Sequence, residues 1–115
     1  MRLNLGSGQY SAAGWTNVDA FCDADVHGDI RELTFEGVTA VRMSHVLEHV
    51  PWRETHALLE RVRSWMAPSG MIVVEVPDME AIMALGTHHP LWFKYVYGDQ
   101  SHLGEYHLAG FTLPS

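Results

Sequence analysis

The chain has 115 residues, 47% of them apolar, which suits one folded domain and excludes a disordered chain. Its net charge of −7, with a single lysine, excludes the basic stripe that binding to nucleic acid requires. No apolar run approaches the roughly 18 residues of a membrane span, and residues 1–15 do not follow the plan of a signal peptide. The only cysteine, Cys22, fits a reducing compartment. We expect one cytoplasmic domain over residues 1–115 that binds neither nucleic acid nor membrane.

The first half of the chain predicts four short strands. They cover residues 2–5, 15–19, 25–27 and 38–43, where apolar runs are bounded by glycine or polar residues. Only six residues separate Gly8 from Trp15, which is too short for a crossover helix. We therefore expect at most one helical turn between the first two strands.

The second half predicts helices around one long strand. Residues 46–49 start a helix that Pro51 interrupts or restarts, and apolar side chains at helical spacing extend it to residue 66. Pro68 and Gly70 end this helix, and the apolar run 71–76 is typical of a strand covered on both faces. Asp78 caps a helix that continues to about residue 85. An aromatic cluster over residues 91–97 follows, with the composition of a core or an interface.

Several motifs stand in a fixed order along these elements. They are Leu3-Asn4-Leu5-Gly6-Ser7-Gly8, Asp19 after Gly14-Trp15, Gly28-Asp29-Ile30, Ser44-His45-Val46-Leu47-Glu48-His49 and the turn and strand from Pro68 to Pro77. Over residues 1–112 this series resembles the class I S-adenosylmethionine (SAM)-dependent methyltransferases, in particular a small bacterial and phage type. The resemblance implies an α/β fold with a Rossmann-like, mostly parallel sheet and flanking helices. It also implies a minimal version that lacks the C-terminal antiparallel hairpin of larger relatives.

The resemblance implies a cofactor site at the carboxyl edge of the sheet. The two glycines let backbone approach a ligand closely, although a Gly-x-Gly by itself also fits a plain tight turn. Asp19 has the position of a ribose-binding acid, and Asp29 is either an adenine contact or a helix N-cap. Asn4 departs from the family, which often carries an acid there. The residues implied to bind SAM, or its product S-adenosylhomocysteine (SAH), are Asn4, Gly6, Ser7, Gly8, Asp19, Ala20, Asp29, Ile30, Ser44 and His45.

The residues expected around the methyl-accepting substrate are mostly histidines, with one tyrosine and one aspartate. His45 and His107 are the candidate bases, because imidazole accepts protons near neutral pH. The expected substrate-binding residues are His49, Asp78, His102 and Tyr106. His45 and His49 are four residues apart, yet the acid beside the second histidine and the lack of a third-ligand pattern argue against a metal, so we expect none.

The function implied by the resemblance is methyl transfer from SAM to a small-molecule or sugar-type acceptor, and the acidic composition suits the cationic sulfonium. A homo-oligomer formed through the C-terminal segment is also expected. Two alternatives remain open: a SAM-binding module without activity, and a truncated methyltransferase fragment completed by self-association. A nucleotide enzyme that does not use SAM is disfavoured, because Ser11 takes the place of the third glycine in Gly-x-Gly-x-x-Gly.

Overall fold

A computed structural model describes residues 1–112, which form an α/β domain around one parallel sheet. The five strands are β1 (Arg2–Leu5), β2 (Thr16–Asp19), β3 (Val26–His27), β4 (Val38–Ser44) and β5 (Met66–Glu75). They lie in the order β3-β2-β1-β4-β5, and every strand pair in these residues is parallel. The predicted Rossmann-like fold class is confirmed.

Three α-helices flank the sheet: α1 (Thr55–Trp65), α2 (Met79–Leu85) and α3 (Trp92–Tyr97). Short 3₁₀ helices occur at Leu47–His49, Trp52–Glu54 and Leu103–Glu105. Pro51 does interrupt the helical segment after β4, since it stands between the first two of these turns. The β1–β2 connection contains turns only, as its short length predicts. None of the helices in the described residues is long and apolar enough to span a membrane.

The core lies between α1 and one face of the sheet. Leu3 pairs with Val41 and Leu5 with Met43 across β1 and β4, and all four side chains are buried. The buried face of α1 packs on the same cluster, with Leu58, Val62 and Trp65 at helical spacing. This packing holds β1 and β4 together and sets the position of the loops that follow them.

The expectation for β5 is wrong in two respects. The strand begins at Met66 rather than Met71. Residues 68–70, where the sequence predicts a turn, lie within the strand, and its pairing with β4 has an irregular register between Val38 and Ala40. The apolar run is also not covered on both faces, since Met71 is 64% and Val73 46% exposed. β5 is the edge strand of the described sheet, so its outer side has no neighbouring strand in residues 1–112. An apolar run shows that a strand can be buried, but burial requires neighbours that local sequence does not specify.

Candidate functional site

The carboxyl ends of β1, β2 and β4 meet at one edge of the sheet, where open parallel sheets bind ligands. The loop after β1 and the end of β2 are in direct contact there. The Ser7 amide donates to the Val18 carbonyl at 3.0 Å, and the Gly8 amide donates to Asp19 Oδ2 at 2.7 Å. The structure thus brings the Gly-x-Gly loop and the predicted ribose acid together.

Gly6 and Gly8 have different structural reasons for being glycine. Both have positive φ, 63° and 55°, a conformation that other residues adopt at a cost. A Cβ on Gly6 would lie 2.6 Å from Cγ2 of Val46, so Gly6 is needed for packing against β4's loop. A Cβ on Gly8 would meet no heavy atom of residues 1–112 within 4 Å, so Gly8 faces open space. The hydroxyl of Ser7, between them, is buried and finds no hydrogen-bond partner in the same residues.

Asp19 holds this edge together through backbone amides. Its Oδ1 accepts from the amides of Phe21 and Cys22, both at 2.8 Å, and its Oδ2 accepts from Gly8. Partial burial acts to raise the pKa of Asp19, but these three hydrogen bonds outweigh it and the pKa lies below its usual range. The carboxylate is therefore ionised at neutral pH, with acceptor capacity remaining beyond the three amides.

A buried pair of asparagines shapes the loop between β1 and β2. Asn4 Nδ2 donates to Asn17 Oδ1 at 2.9 Å and to the Tyr10 carbonyl at 3.2 Å. Asn17 also accepts from the Ala12 amide, and its backbone amide donates to Asp25 Oδ2. Asn4 is 4% exposed, so its side chain supports the β1–β2 loop from the protein interior. Sequence reasoning missed Asn17; a polar residue inside the short strand β2 was the available signal.

The predicted adenine contacts are engaged within the protein. Asp29 forms an ion pair with Arg31, whose guanidinium donates to Oδ2 at 2.7 Å, and Oδ1 accepts from the Arg31 amide. The hydrogen bond from the Arg31 side chain lowers the pKa of Asp29 below its usual value. Ile30 is 9% exposed and packs in the core. The alternative of a helix N-cap at Asp29 is wrong, because no helix lies in residues 28–37 between β3 and β4; the amides of Glu32 and Leu33 donate to the Asp29 carbonyl in a turn. Contact of Asp29 with adenine stays a prediction.

The β4 end presents one exposed histidine and one buried carboxylate. Ser44 ends β4, and His45 follows it with φ 56°, held by its amide donating to the Glu75 carbonyl at 2.8 Å. The His45 side chain is 63% exposed, and its Nδ1 lies 3.2 Å from Oε2 of Glu48. Oε1 of Glu48 is buried without a hydrogen-bond partner among residues 1–112.

Asp78 serves as the N-cap of α2. Its carboxylate accepts from the amides of Glu80 at 3.0 Å and Ala81 at 3.5 Å, which confirms the predicted cap. Its backbone also forms an isolated parallel bridge with Phe111. Its contact with substrate stays a prediction, and its carboxylate already accepts from two helix amides.

The C-terminal strap, residues 102–111, crosses the carboxyl edge of the sheet. At one end the ring of His102 packs on Phe21, with ring centroids 5.2 Å apart, near the end of β2. Further along, the Leu108 amide donates to the Glu48 carbonyl at 2.6 Å, and the Met79 amide donates to the Phe111 carbonyl at 2.8 Å. The strap therefore separates the predicted acceptor residues, with His102 beside β2 and His107 beside β4.

His49 contacts His107 of the strap, with ring centroids 4.9 Å apart. One ligand-type atom from each, and one from Glu48, all lie within 4.8 Å of one another. Burial lowers the pKa of His49, an effect that exceeds the opposing influence of Glu48, so the neutral imidazole is favoured. The spacing of the sequence pairs His45 with His49 and does not predict this trio, since His107 is distant along the chain.

A shallow cleft of about 460 Å³ lies beside this trio. It is lined by Trp52, Met79, Val96, Tyr97 and residues 107–110. The lining is mostly apolar, with His107 as its imidazole, and it borders the first turn of α2. The cleft is open to solvent along much of its surface.

No protein-family model matches the sequence, and a comparison with curated proteins finds no significant relative. Solved structures do match. A complex of DhpI with SAH has 28% sequence identity and a TM-score of 0.57, covering 69% of this chain and 50% of its own. A complex of DhpI with SAM and HEP has 26% identity and a TM-score of 0.56, covering 77% of this chain and 53% of its own. Mitomycin 7-O-methyltransferase MmcR shares the fold, with 14% identity and a TM-score of 0.55 over 92% of this chain and 38% of its own.

These matches identify the fold. The described residues have the class I SAM-dependent methyltransferase fold. The chain spans about half the length of the DhpI chains that it matches.

Proposed function

We propose that this chain binds SAM and transfers its methyl group to a small-molecule acceptor. The observation that carries the proposal is the junction of Gly8 and Asp19 at the carboxyl edge of the sheet, with open space in front of Gly8. The DhpI structures, which share this fold at 26–28% identity, contain SAH or SAM and so support the choice of cofactor. Cytoplasmic location, suggested by the single Cys22, remains part of the proposal.

The cofactor would lie across the ends of β1, β2 and β4. Backbone of Gly6, Ser7 and Gly8 would face its amino-acid part and ribose, and the remaining acceptor capacity of Asp19 would take the ribose hydroxyls. The buried Ser7 hydroxyl, which has no partner in the described residues, is a donor available nearby. Further contacts assigned by the family resemblance are Asn4, Ala20, Asp29, Ile30, Ser44 and His45; in this structure Asn4 and Ile30 are buried and would act by shaping the pocket.

Methyl transfer places modest demands on the protein, because the sulfonium is already activated. The acceptor oxygen attacks the methyl carbon, the C–S bond breaks as the C–O bond forms, and the acceptor proton leaves to a base or to water. The protein must therefore align acceptor and methyl and exclude water. The C-terminal strap crosses the edge where this occurs, and the cleft beside His107 has room for the acceptor.

Acceptor chemistry is the finer part of the proposal. The proposed acceptor is a sugar-type hydroxyl or a small metabolite, and the cleft would offer it mostly apolar walls with His107 and Tyr97 among its lining residues. MmcR, which shares the fold, is a mitomycin 7-O-methyltransferase. His45 and His107 are proposed as the groups that take up or orient the acceptor proton, with His49, Asp78, His102 and Tyr106 around the acceptor.

Calorimetric titration with SAH tests the cofactor site. The native chain should bind SAH, and Asp19→Ala should lose about 1.5–3 kcal/mol of binding free energy, the usual value of a charged hydrogen-bond acceptor. Asp23→Ala is the matched control, because Asp23 is an exposed acid in the adjoining loop. Equal SAH affinity in the native chain and in Asp19→Ala would refute the ribose assignment.

A screen with methyl-labelled SAM tests the activity. Label should pass from SAM to a sugar-type or small-metabolite acceptor in a panel of hydroxyl compounds, and the transfer should depend on Asp19. SAH binding without label transfer to any acceptor would instead identify a SAM-binding module without activity.

A further inference from the structure

We propose that Glu48, His49 and His107 form a binding site for a divalent first-row transition metal ion, Zn²⁺ in the first instance. The observation behind the proposal is that one ligand-type atom from each of the three side chains lies within 4.8 Å of the other two. The site shares His49 and His107 with the proposed acceptor side, but metal binding is measured without SAM, so the failure of one proposal can be told from the failure of the other.

The orientation of both imidazoles fits metal ligation. His49 Nδ1 lies 3.1 Å from the Tyr106 carbonyl, and His107 Nδ1 lies 2.9 Å from the Tyr95 carbonyl. A carbonyl oxygen only accepts, so each Nδ1 carries the proton and each Nε2 presents a lone pair. Histidines that bind metals almost always donate their second N–H in this way, to a carbonyl or a carboxylate. The carbonyls of Tyr106 in the strap and Tyr95 in α3 thus favour the Nδ1-protonated tautomer, which leaves Nε2 free to bind a metal.

Glu48 supplies the anionic ligand, and its buried carboxylate would be stabilised by a cation. Its side chain is 2% exposed, and Oε1 has no hydrogen-bond partner among residues 1–112. Its other oxygen has His45 at 3.2 Å, and no lysine or arginine in the described residues forms a salt bridge with it. A buried carboxylate oxygen without a partner is costly, and a metal ion at Oε1 would satisfy it.

The ligand set selects the class of metal. Two imidazoles and one carboxylate suit Zn²⁺ and related ions, whereas Mg²⁺ and Ca²⁺ prefer oxygen ligands. Bonds of about 2.0–2.1 Å in a tetrahedral site place ligand atoms roughly 3.3 Å apart, and the three side chains offer ligand-type atoms within 4.8 Å of one another, so a bound ion would draw them closer together. Three protein ligands also leave a coordination position for water or another small ligand, the pattern of catalytic rather than structural zinc sites. Of the three proposed ligands, His107 also lines the cleft.

Competition between the protein and a chromophoric chelator for Zn²⁺ tests the proposal, with tag-free protein, and Co²⁺ absorption reports the ligand geometry. The native chain should bind one ion. His49→Gln, His107→Ala and Glu48→Gln should each weaken binding by roughly tenfold to a hundredfold or more, at least the loss seen when outer partners of a metal site are removed. Zn²⁺ should also raise the melting temperature of the native chain, and this increase should shrink in the variants.

The control is the double variant His88→Ala, His89→Ala, which removes the adjacent histidine pair that could bind metal adventitiously. It should bind Zn²⁺ as the native chain does. Native-like affinity in His107→Ala, or loss of affinity in the double variant, would overturn the proposal. Circular dichroism checks folding; if His107→Ala unfolds, His49→Gln and Glu48→Gln decide, because they preserve most of the side-chain volume.

Discussion

At the residue scale, the Asp19 carboxylate that orders the loop after β1 is also the one proposed to bind the ribose. Three backbone amides hold it in place and keep it ionised, and the same amides fix the position of the Gly8 loop. A ligand that approaches the end of β2 therefore meets an oriented anion with no further ordering of the side chain. Preorganisation of this kind reduces the entropy lost on binding.

The two glycines before this carboxylate should respond differently to alanine. Both Gly6→Ala and Gly8→Ala force a left-handed backbone, at about 1–2 kcal/mol each. Gly6→Ala also drives a Cβ into the stiff, buried Val46, which adds about 1–3 kcal/mol of overpacking. Urea denaturation should therefore show Gly6→Ala as the less stable variant. Gly8→Ala should instead reduce SAH affinity, and equal stability of the two variants would contradict the packing difference.

The candidate bases His45 and His107 should affect turnover more than cofactor binding. His45 is exposed at the β4 end, and His107 lines the cleft beside α2. His45→Ala and His107→Ala should lower methyl transfer by roughly a hundredfold or more, the usual contribution of a positioned acid or base, while SAH affinity changes little. His56→Ala, on the exposed surface of α1, is the control. If both variants retain full turnover on a true acceptor, neither histidine acts as a base or positions the acceptor.

At the scale of elements, the strap and α2 depend on each other. The Asp78 carboxylate caps α2, while backbone groups around it pair with Phe111 of the strap. Capping fixes the first turn of α2, and that turn carries Met79, which lines the cleft. The first turn of α2 thus affects both the stability of this helix and the shape of the candidate acceptor site.

Replacement of Asp78 separates capping from substrate binding. Asp78→Ala should lower the free energy of unfolding by about 1 kcal/mol in urea denaturation, because two amides of α2 lose their acceptor. Asp78→Asn should keep most of this stability, since asparagine caps as well as aspartate. If Asp78→Asn folds normally but loses methyl transfer, the carboxylate has the substrate role that the family resemblance assigned to it.

At the scale of the whole molecule, apolar side chains are exposed on both the edge strand β5 and α3. The edge strand β5 exposes Met71 and Val73, and α3 exposes Phe93 and Tyr97 at 62% and 50%. The strap packs over the carboxyl edge of the sheet and does not take the place of a strand beside β5. An exposed apolar edge strand is a template for pairing with another chain.

Self-association through β5 and the C-terminal third is therefore the expected behaviour of this chain in solution. Sedimentation should give a mass of two chains or more at micromolar concentration. Val73→Lys and Phe93→Lys should each shift the mass toward one chain without unfolding, because both side chains are already exposed. A native mass of one chain throughout the micromolar range would exclude this association.

The local features of the fold could be predicted from sequence. The strand at residues 2–5, the helix-free loop before β2 and the Asp78 cap follow from apolar runs, chain length and capping preference, which act over a few residues. The placement of Gly8 and Asp19 at one edge also followed, because successive parallel strands end on the same side.

Tertiary structure alone decided which distant side chains meet. His107 joins Glu48 and His49 because the strap folds back across the edge of the sheet, a path that no local pattern specifies. The Asn4–Asn17 pair arises from the register between β1 and β2 in the same way. The exposure of β5 depends on which elements lie beside it, whereas its sequence records only its capacity for burial. Local sequence sets conformation and polarity, and contacts between segments depend on the packing of the whole chain.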